Sequence, residues 1–569
     1  MKKYETNIYQ PFNSGNGISI HAYRGDGMVL LGFNLDSKPD KNFAGFAIKR
    51  KSPGGKSDYL MNRLSFSKAY TKGTKPEERQ WTPSNEAPFQ KFMWLDVPPD
   101  AQKGIYTYEA TAMFGNGSSL KEGPKVGVDI ELIHDDEDKF FEIGFTRGYA
   151  SSQAYADKFG NKDIRPAKKS LDYPYKKYEA QYKWLGYNAR EMVFGFLAET
   201  LNDKSITLDV FAYDFDEPEI IKELAKLGKR LRIILDNSKT HVAANALEKK
   251  AKAMMIQSAG KDNVTAGHFT RFSHDKIFIM KKNGKAVKVL TGSANFSIRG
   301  LYIQANNVIV INDSGTADTY EKVFDAVFTQ FKASEQKKKS GLNFKKSELA
   351  DKWFEFDNDN IPDFFVSFAP HSDADISLMK VKDEIKNATD SVFYAIMDIK
   401  GGGDVLKAIR DLSLGDKDKV FTYGVSQTPG GIKLYKPGRT DGIFASFSYL
   451  TSKVPEPFRK EWSGGMGQVI HHKFIVKDFK SDNPVVFTGS SNLASGGETN
   501  NGDNMLAIYD SRIALAYGIE AFRLADHYNF RTTMKSATKV NPLMLRTDEW
   551  FKDYFDESTI KYRERELFK

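Results

Sequence analysis

Two stretches of this chain, 197 residues apart, carry the same polar residues in the same places. SHDKIFIM (273–280) answers IHHKFIVK (470–477), LTGSANFS (290–297) answers FTGSSNLA (487–494), and NNVIVIND (306–313) answers DNMLAIYD (503–510). The offsets agree without a gap. Ser293 and Ser490 lie 19 residues after His274 and His471, Asn295 and Asn492 lie 21 after, and Asn306 and Asp503 lie 32 after. Such a repeat predicts an internal duplication. Each copy then runs into an aromatic helical pattern, YEKVFDAVFTQF and IEAFRLADHYNF.

In an extended chain, residues i and i+2 share a face. His274 and Lys276 therefore point one way, and His471 and Lys473 do the same. Asp275 and His472 point to the other face, so His472 is read as structural. Gly292-Ser293 and Gly489-Ser490 let a neighbouring turn approach closely. They bring a hydroxyl and an amide into each polar cluster.

Paired clusters of this kind suit a phosphodiester. Two lysines and two asparagine amides supply charge and donors where negative charge builds up in the transition state. One neutral histidine can attack phosphorus. The other, protonated, can donate to the leaving oxygen and then activate water. No metal or other cofactor is expected.

The doubled pattern resembles the phospholipase D superfamily, whose signature is H-x-K-x-x-x-x-D followed by G-S-x-N. His471, Lys473 and Asp478 match its first part, and Gly489-Ser490-Ser491-Asn492 its second. His274, Lys276 and Gly292-Ser293-Ala294-Asn295 match in the other copy, where Lys281 stands in place of the aspartate. The resemblance implies two α/β/α halves packed about a pseudo-twofold axis, with one active site at the seam. By analogy His274 is the nucleophile and His471 the general acid/base. Lys276, Lys473, Asn295 and Asn492 complete the catalytic set, with Ser293, Ser490, Asp478, Asp503 and Asn306 supporting it. The resemblance also implies contacts that cross between halves, so that Asp503 orients His274 and Asn306 contacts His471.

The rest of the chain divides around this repeat. Residues 1–133 read as short aromatic and β-branched runs punctuated by Gly, Pro, Asn and Asp, the pattern of an all-β sandwich. It resembles fibronectin type III or immunoglobulin-like modules. The acidic stretch 134–138 marks a boundary. One half is expected over 139–333, a basic linker follows, and a second half covers 346–569. The C-terminal aromatics of 548–568 are expected to pack on the core. Asp214 and Asp398 close equivalent strands, and WSGGMGQV (462–469) reads as a mobile loop or a tight turn. His134, His241, His268 and His371 have no comparable setting.

The chain has no cysteine, which excludes disulfides and thiolate chemistry. No signal peptide or membrane-spanning run is visible, so a cytoplasmic location is expected. A formal net charge of +9 favours phosphate-bearing partners. Glycerophospholipid is the favoured substrate, hydrolysed or transferred to an alcohol, with peripheral contact at a membrane surface. The apolar segments 442–458 and GLYIQ (300–304) are the candidates for that contact. A nuclease acting on DNA or RNA, and an inactive phosphate-binding scaffold, are the alternatives. Nothing in the sequence sets the oligomeric state.

Overall fold

The computed structural model describes residues 6–74, 78–117, 119–133, 140–336, 343–357, 362–397, 403–414, 420–438, 441–447, 450 and 469–569. Asp398, His134, the acidic stretch 134–138 and most of 448–468 lie outside the described residues.

The N-terminal region forms two four-stranded antiparallel sheets. One orders Phe12–Gly15, Ile18–Arg24, Val29–Leu35 and Met93–Asp96; the other orders Ser119–Glu131, Ile105–Asn116, Phe43–Lys51 and Ser57–Tyr59. Alternation along the strands sorts the side chains. Tyr106, Tyr108, Ala110 and Ala112 are buried against Ile18, Ile20, Leu31 and Phe33 from the opposite sheet.

That core is closed by residues from the far end of the chain. Trp550, Phe551 and Tyr554 are buried in it. The Trp550 indole donates to the Phe43 carbonyl at 3.1 Å, and the Tyr554 ring lies 4.8 Å from Phe92. The helix Ile560–Phe568 then runs across the sandwich, where Arg565 donates to Asn34 at 2.6 Å. Gly32 admits this helix end, because a Cβ there would lie 1.8 Å from the Phe568 carbonyl oxygen. Of the aromatics predicted to pack on a core, Trp550, Phe551 and Tyr554 thus complete the N-terminal sandwich, while Phe568 packs on Phe421, Phe479 and Phe522 of the half it follows in sequence.

Two larger sheets carry the repeated segments. The first orders Phe141–Phe145, Asn307–Ile311, Lys285–Gly292, Ile277–Lys282, Ile206–Ala212, Leu231–Asp236 and Val264–Gly267. The second contains, in the same order, Phe364–Ala369, Asn501–Ile508, Val485–Gly489, Phe474–Lys477, Ser391–Met397 and Phe421–Thr428. In both, the first five strands pair antiparallel and the sixth is parallel to the fifth. The seventh strands differ. Val264–Gly267 is parallel to its neighbour, whereas Gly431–Tyr435 turns back antiparallel. The turn is Pro429-Gly430, with φ of +75° at Gly430, as a type II turn requires at its second central position.

The repeated NNVIVIND and DNMLAIYD segments each end on a helix cap. Asp313 accepts from the Thr316 amide to start Ser314–Glu335, and Asp510 accepts from the Ile513 amide to start Ser511–Ser536. Among the described residues no helix is long and apolar enough to cross a membrane.

Candidate active site

The motif residues lie at the seam of the two large sheets, and the backbone explains how. His274 and Lys276 precede the strand Ile277–Lys282, and His471 and Lys473 precede Phe474–Lys477. The sequence pattern places them inside strands. Instead their backbone groups bond to the opposite sheet. Phe272–Ser273 pairs with Asn501–Gly502, and the His274 amide donates to the Gly502 carbonyl at 2.8 Å. In the other direction the His471 amide donates to Ala305 at 3.1 Å. Each histidine is thereby carried into the partner sheet's polar cluster.

The two imidazoles face each other with centroids 6.4 Å apart, and both are buried. His274 Nδ1 lies 2.7 Å from Asp503 Oδ1. His471 Nδ1 lies 2.9 Å from Asn306 Oδ1 and 3.1 Å from the Ser293 carbonyl. The Asn306 amide nitrogen donates to the Gly300 carbonyl at 2.8 Å, which turns its oxygen toward His471. All these partners accept, so each Nδ1 carries a hydrogen and each Nε2 keeps its lone pair.

Both lysines reach back to the carbonyl of their own motif histidine. Lys276 also sits 4.9 Å over the Tyr213 ring, and Lys473 lies 3.2 Å from His471 Nε2. Ser293 Oγ donates to Asn306 Oδ1 at 2.8 Å, and Ser490 Oγ accepts from the Asn504 amide at 3.0 Å. The hydroxyls therefore pin the turns that follow each sheet's third strand. Asn295 donates to Asp214 at 2.7 Å, while its own oxygen and that of Asn492 are buried with no hydrogen-bond partner among the described residues.

Burial, reinforced by the two lysines, pushes both His274 and His471 well below the usual imidazole range. Both rings are thus neutral in this arrangement, whereas the sequence reading asks one of them to be protonated. Burial lowers Lys276 to about 8, against the pull of Asp503 and Asp214, and raises Asp503 to about 7.

Not every expected residue is here. Asp478 accepts from the backbone amides of Thr389, Asp390 and Ser391, at the start of the strand Ser391–Met397. The other end of that strand meets the site, where Met397 Sδ lies 3.4 Å from Lys473 Nζ. The ends are roughly 20 Å apart at about 3.3 Å per residue. Asp478 anchors a strand rather than touching the cluster. Lys281, at the matching position, pairs instead with Asp209 at 2.6 Å and Glu321 at 3.2 Å. His472 is fully buried against Glu520 at 3.0 Å, away from the facing imidazoles. The GLYIQ segment is not an exposed apolar loop: Leu301, Tyr302 and Ile303 are buried, and Tyr302 stacks on Tyr182 at 4.1 Å.

Sequence reasoning missed one group. His241 bridges Asp214 and Asp236, directly behind Asn295 and His274. The available signal was the pair of aspartates at the carboxyl ends of two parallel strands, Asp236 closing one and Asp214 two residues past the other, where ligands gather in such sheets.

Residues 197–328, which hold the first motif, match the family described as cardiolipin synthase, PLD-like domain. Over these residues the chain is similar to the phospholipase D superfamily. A phospholipase D of Rickettsia bellii is 30% identical over 128 residues, 22% of this chain and 58% of that protein. A mitochondrial cardiolipin hydrolase of Chlamydomonas reinhardtii is 27% identical over 135 residues, 23% of this chain and 56% of that protein. The chain thus spans little more than half the length of these curated relatives. Among solved structures, a phosphatidylserine synthase of Haemophilus influenzae aligns over 66% of this chain and 93% of its own, at 13% identity and a TM-score of 0.36.

Proposed function

We propose that this protein is a metal-independent phosphodiesterase that forms a covalent phosphohistidine on His274. The observation that carries this reading is the facing pair of imidazoles, centroids 6.4 Å apart, each with Nδ1 held by an acceptor and Nε2 left as a base. One bound phosphorus then has an imidazole on each side. His274 Nε2 attacks it, the P–N bond forms, and the P–O bond to the leaving group breaks. His471, protonated at Nε2 once the anion is bound, gives that proton to the departing oxygen. Water then loses a proton to His471 as its oxygen attacks phosphorus, the P–N bond breaks, and His274 is regenerated.

His274 takes the nucleophile's part because its ring gains positive charge as the P–N bond forms. Asp503 is an anionic partner for that charge, whereas Asn306 offers His471 only a dipole. Lys276 and Lys473, with Asn295 and Asn492, surround the non-bridging oxygens. The common order of six strands supports a reading of the two sheets as duplicated halves about a pseudo-twofold axis. The two N-terminal sheets fit a fibronectin III- or immunoglobulin-like module.

We favour glycerophospholipid as substrate, since two relatives are named phospholipase D and cardiolipin hydrolase. The test is a panel with EDTA present: phosphatidylcholine, phosphatidylethanolamine and cardiolipin in mixed micelles, against single-stranded DNA and RNA. His274→Ala and His471→Ala serve as controls. Turnover of lipid alone, lost in both variants, is the expected result. Turnover of nucleic acid alone replaces the substrate class, and loss of all activity in EDTA removes the metal-free mechanism.

A further inference from the structure

Behind the facing imidazoles lies a second polar cluster that does not touch the space between them. Its centre is His241, 6% exposed. His241 Nε2 lies 3.0 Å from Asp214 Oδ1, and Nδ1 lies 2.7 Å from Asp236 Oδ1. Each aspartate uses its second oxygen on the catalytic side. Asp214 Oδ2 accepts from the Asn295 amide at 2.7 Å, and Asp236 Oδ2 accepts from the backbone N–H of Ser273 at 2.7 Å.

We propose that His241 is a positioning residue that locks two working elements to each other. Through Asp214 it orients the Asn295 side chain, and through Asp236 it fixes the backbone that presents His274. The inference rests on the reading of His274 and Asn295 as working residues.

The geometry excludes simpler roles for the ring. A carboxylate oxygen only accepts, so a neutral imidazole satisfies one aspartate and leaves the other facing a bare lone pair. Bridging both requires both ring nitrogens to carry hydrogen. Burial alone lowers the basicity of His241, but the bonds and charges of Asp214 and Asp236 outweigh it and lift it to about 10. The other groups around the ring are Tyr213, edge-on at 4.7 Å, and Glu248, which burial raises to about 7. Asp214, His241 and Glu248 offer ligand atoms within 4.8 Å of one another, a spacing a cation accepts. With both its nitrogens turned on carboxylates, the imidazolium is itself the cation of the cluster.

The position of the lock matters as much as its charge. Asn295 lies on the turn after Lys285–Gly292, and Ser273 lies on the segment paired with the opposite sheet. No other hydrogen bond described between these two elements passes through one side chain in this way. The Tyr213 ring, also 4.7 Å from His274, separates the bridge from the reacting face, so His241 acts without reaching substrate.

The test has two arms. In the first, ¹⁵N-labelled histidine and asparagine are followed by NMR in the full chain. Both His241 nitrogens should stay protonated to about pH 9, and the Asn295 side-chain amide should shift and broaden in His241→Asn. In the second, hydrolysis of bis(p-nitrophenyl) phosphate is compared for His241→Asn, Asp214→Asn and the double variant. We expect kcat to fall about tenfold or more in each single variant, KM to move by less than about threefold, and the double to lose clearly less than the product of the two single losses. A neutral His241 near pH 7.5 overturns the proposal, as does an Asn295 signal indifferent to His241→Asn, or losses that multiply in the double. If the wild-type chain cleaves no phosphodiester, the proposed function fails while the NMR arm still decides the bridge. It decides it on wild-type protein too, should His241→Asn not fold.

Discussion

Asp503 Oδ1 lies 2.7 Å from His274 Nδ1, although His274 leads into a strand of one large sheet and Asp503 lies in a strand of the other. The matching contact in the other direction, Asn306 to His471 at 2.9 Å, lacks the charge. This one difference gives only His274 an anionic partner. Asp503→Asn should leave the fold intact, since Asn306 holds the equivalent place, and lower kcat by about 10²-fold or more. Steady-state kinetics on bis(p-nitrophenyl) phosphate, with circular dichroism for the fold, checks this.

The unequal histidines predict a separation of half-reactions. In His471→Asn the nucleophile remains but the base for water does not. With an activated leaving group such as p-nitrophenolate, a stoichiometric burst should appear, followed by turnover slowed about 10²- to 10⁴-fold. Mass spectrometry should place the phosphoryl group on His274. A label on any other residue contradicts the assignment.

The pH profile follows from the two buried charges beside the imidazoles. Asp503, raised by burial to about 7, is anionic only above that value, so kcat/KM should rise with pH through about 7. Lys276, lowered by burial to about 8, loses its charge above that value, so the rate should fall again. The result is a narrow bell whose limbs belong to the coupled cluster. In Asp503→Asn the acid limb should disappear while the alkaline limb stays.

Asp478 matches the family signature, yet its effect should be on stability. Its carboxylate is 2% exposed and collects the amides of residues 389–391. Asp478→Ala leaves those donors without it and should cost about 3 kcal/mol in unfolding free energy. Activity per folded molecule should change by less than about threefold, because the reacting groups lie at the other end of the strand. Urea denaturation and active-fraction kinetics separate the two effects.

Why the motif residues were legible and their helpers were not has a physical basis. His274, Lys276, His471 and Lys473 announce themselves through local spacing, because an extended chain places every second residue on one face. The offsets to Ser293, Asn295 and Asn306 repeat in the second copy and so survive comparison within one sequence. His241 has no such repeat. It arrives on the irregular segment after Leu231–Asp236 and meets Asp214 only once that segment has closed over the sheet. The strand positions of the motif histidines were misjudged for a related reason. Periodicity reports which face a side chain takes, but not which sheet its backbone bonds to. The buried GLYIQ segment shows the same limit, since an apolar run looks alike whether it meets water or the Tyr182 ring.

The indole of Trp550 and the carbonyl of Phe43 are partners separated by 507 residues of chain. During synthesis the strands of the N-terminal sandwich leave the ribosome first, the usual order for domains that fold as they emerge. Here the residues that finish its core are made only after the strands of both large sheets. The early strands must wait, partly open, while both large sheets are translated. A nascent chain arrested before Trp550 should therefore remain protease-sensitive within residues 12–131, and the full chain should not. A module made before both large sheets is, in this sense, completed after them.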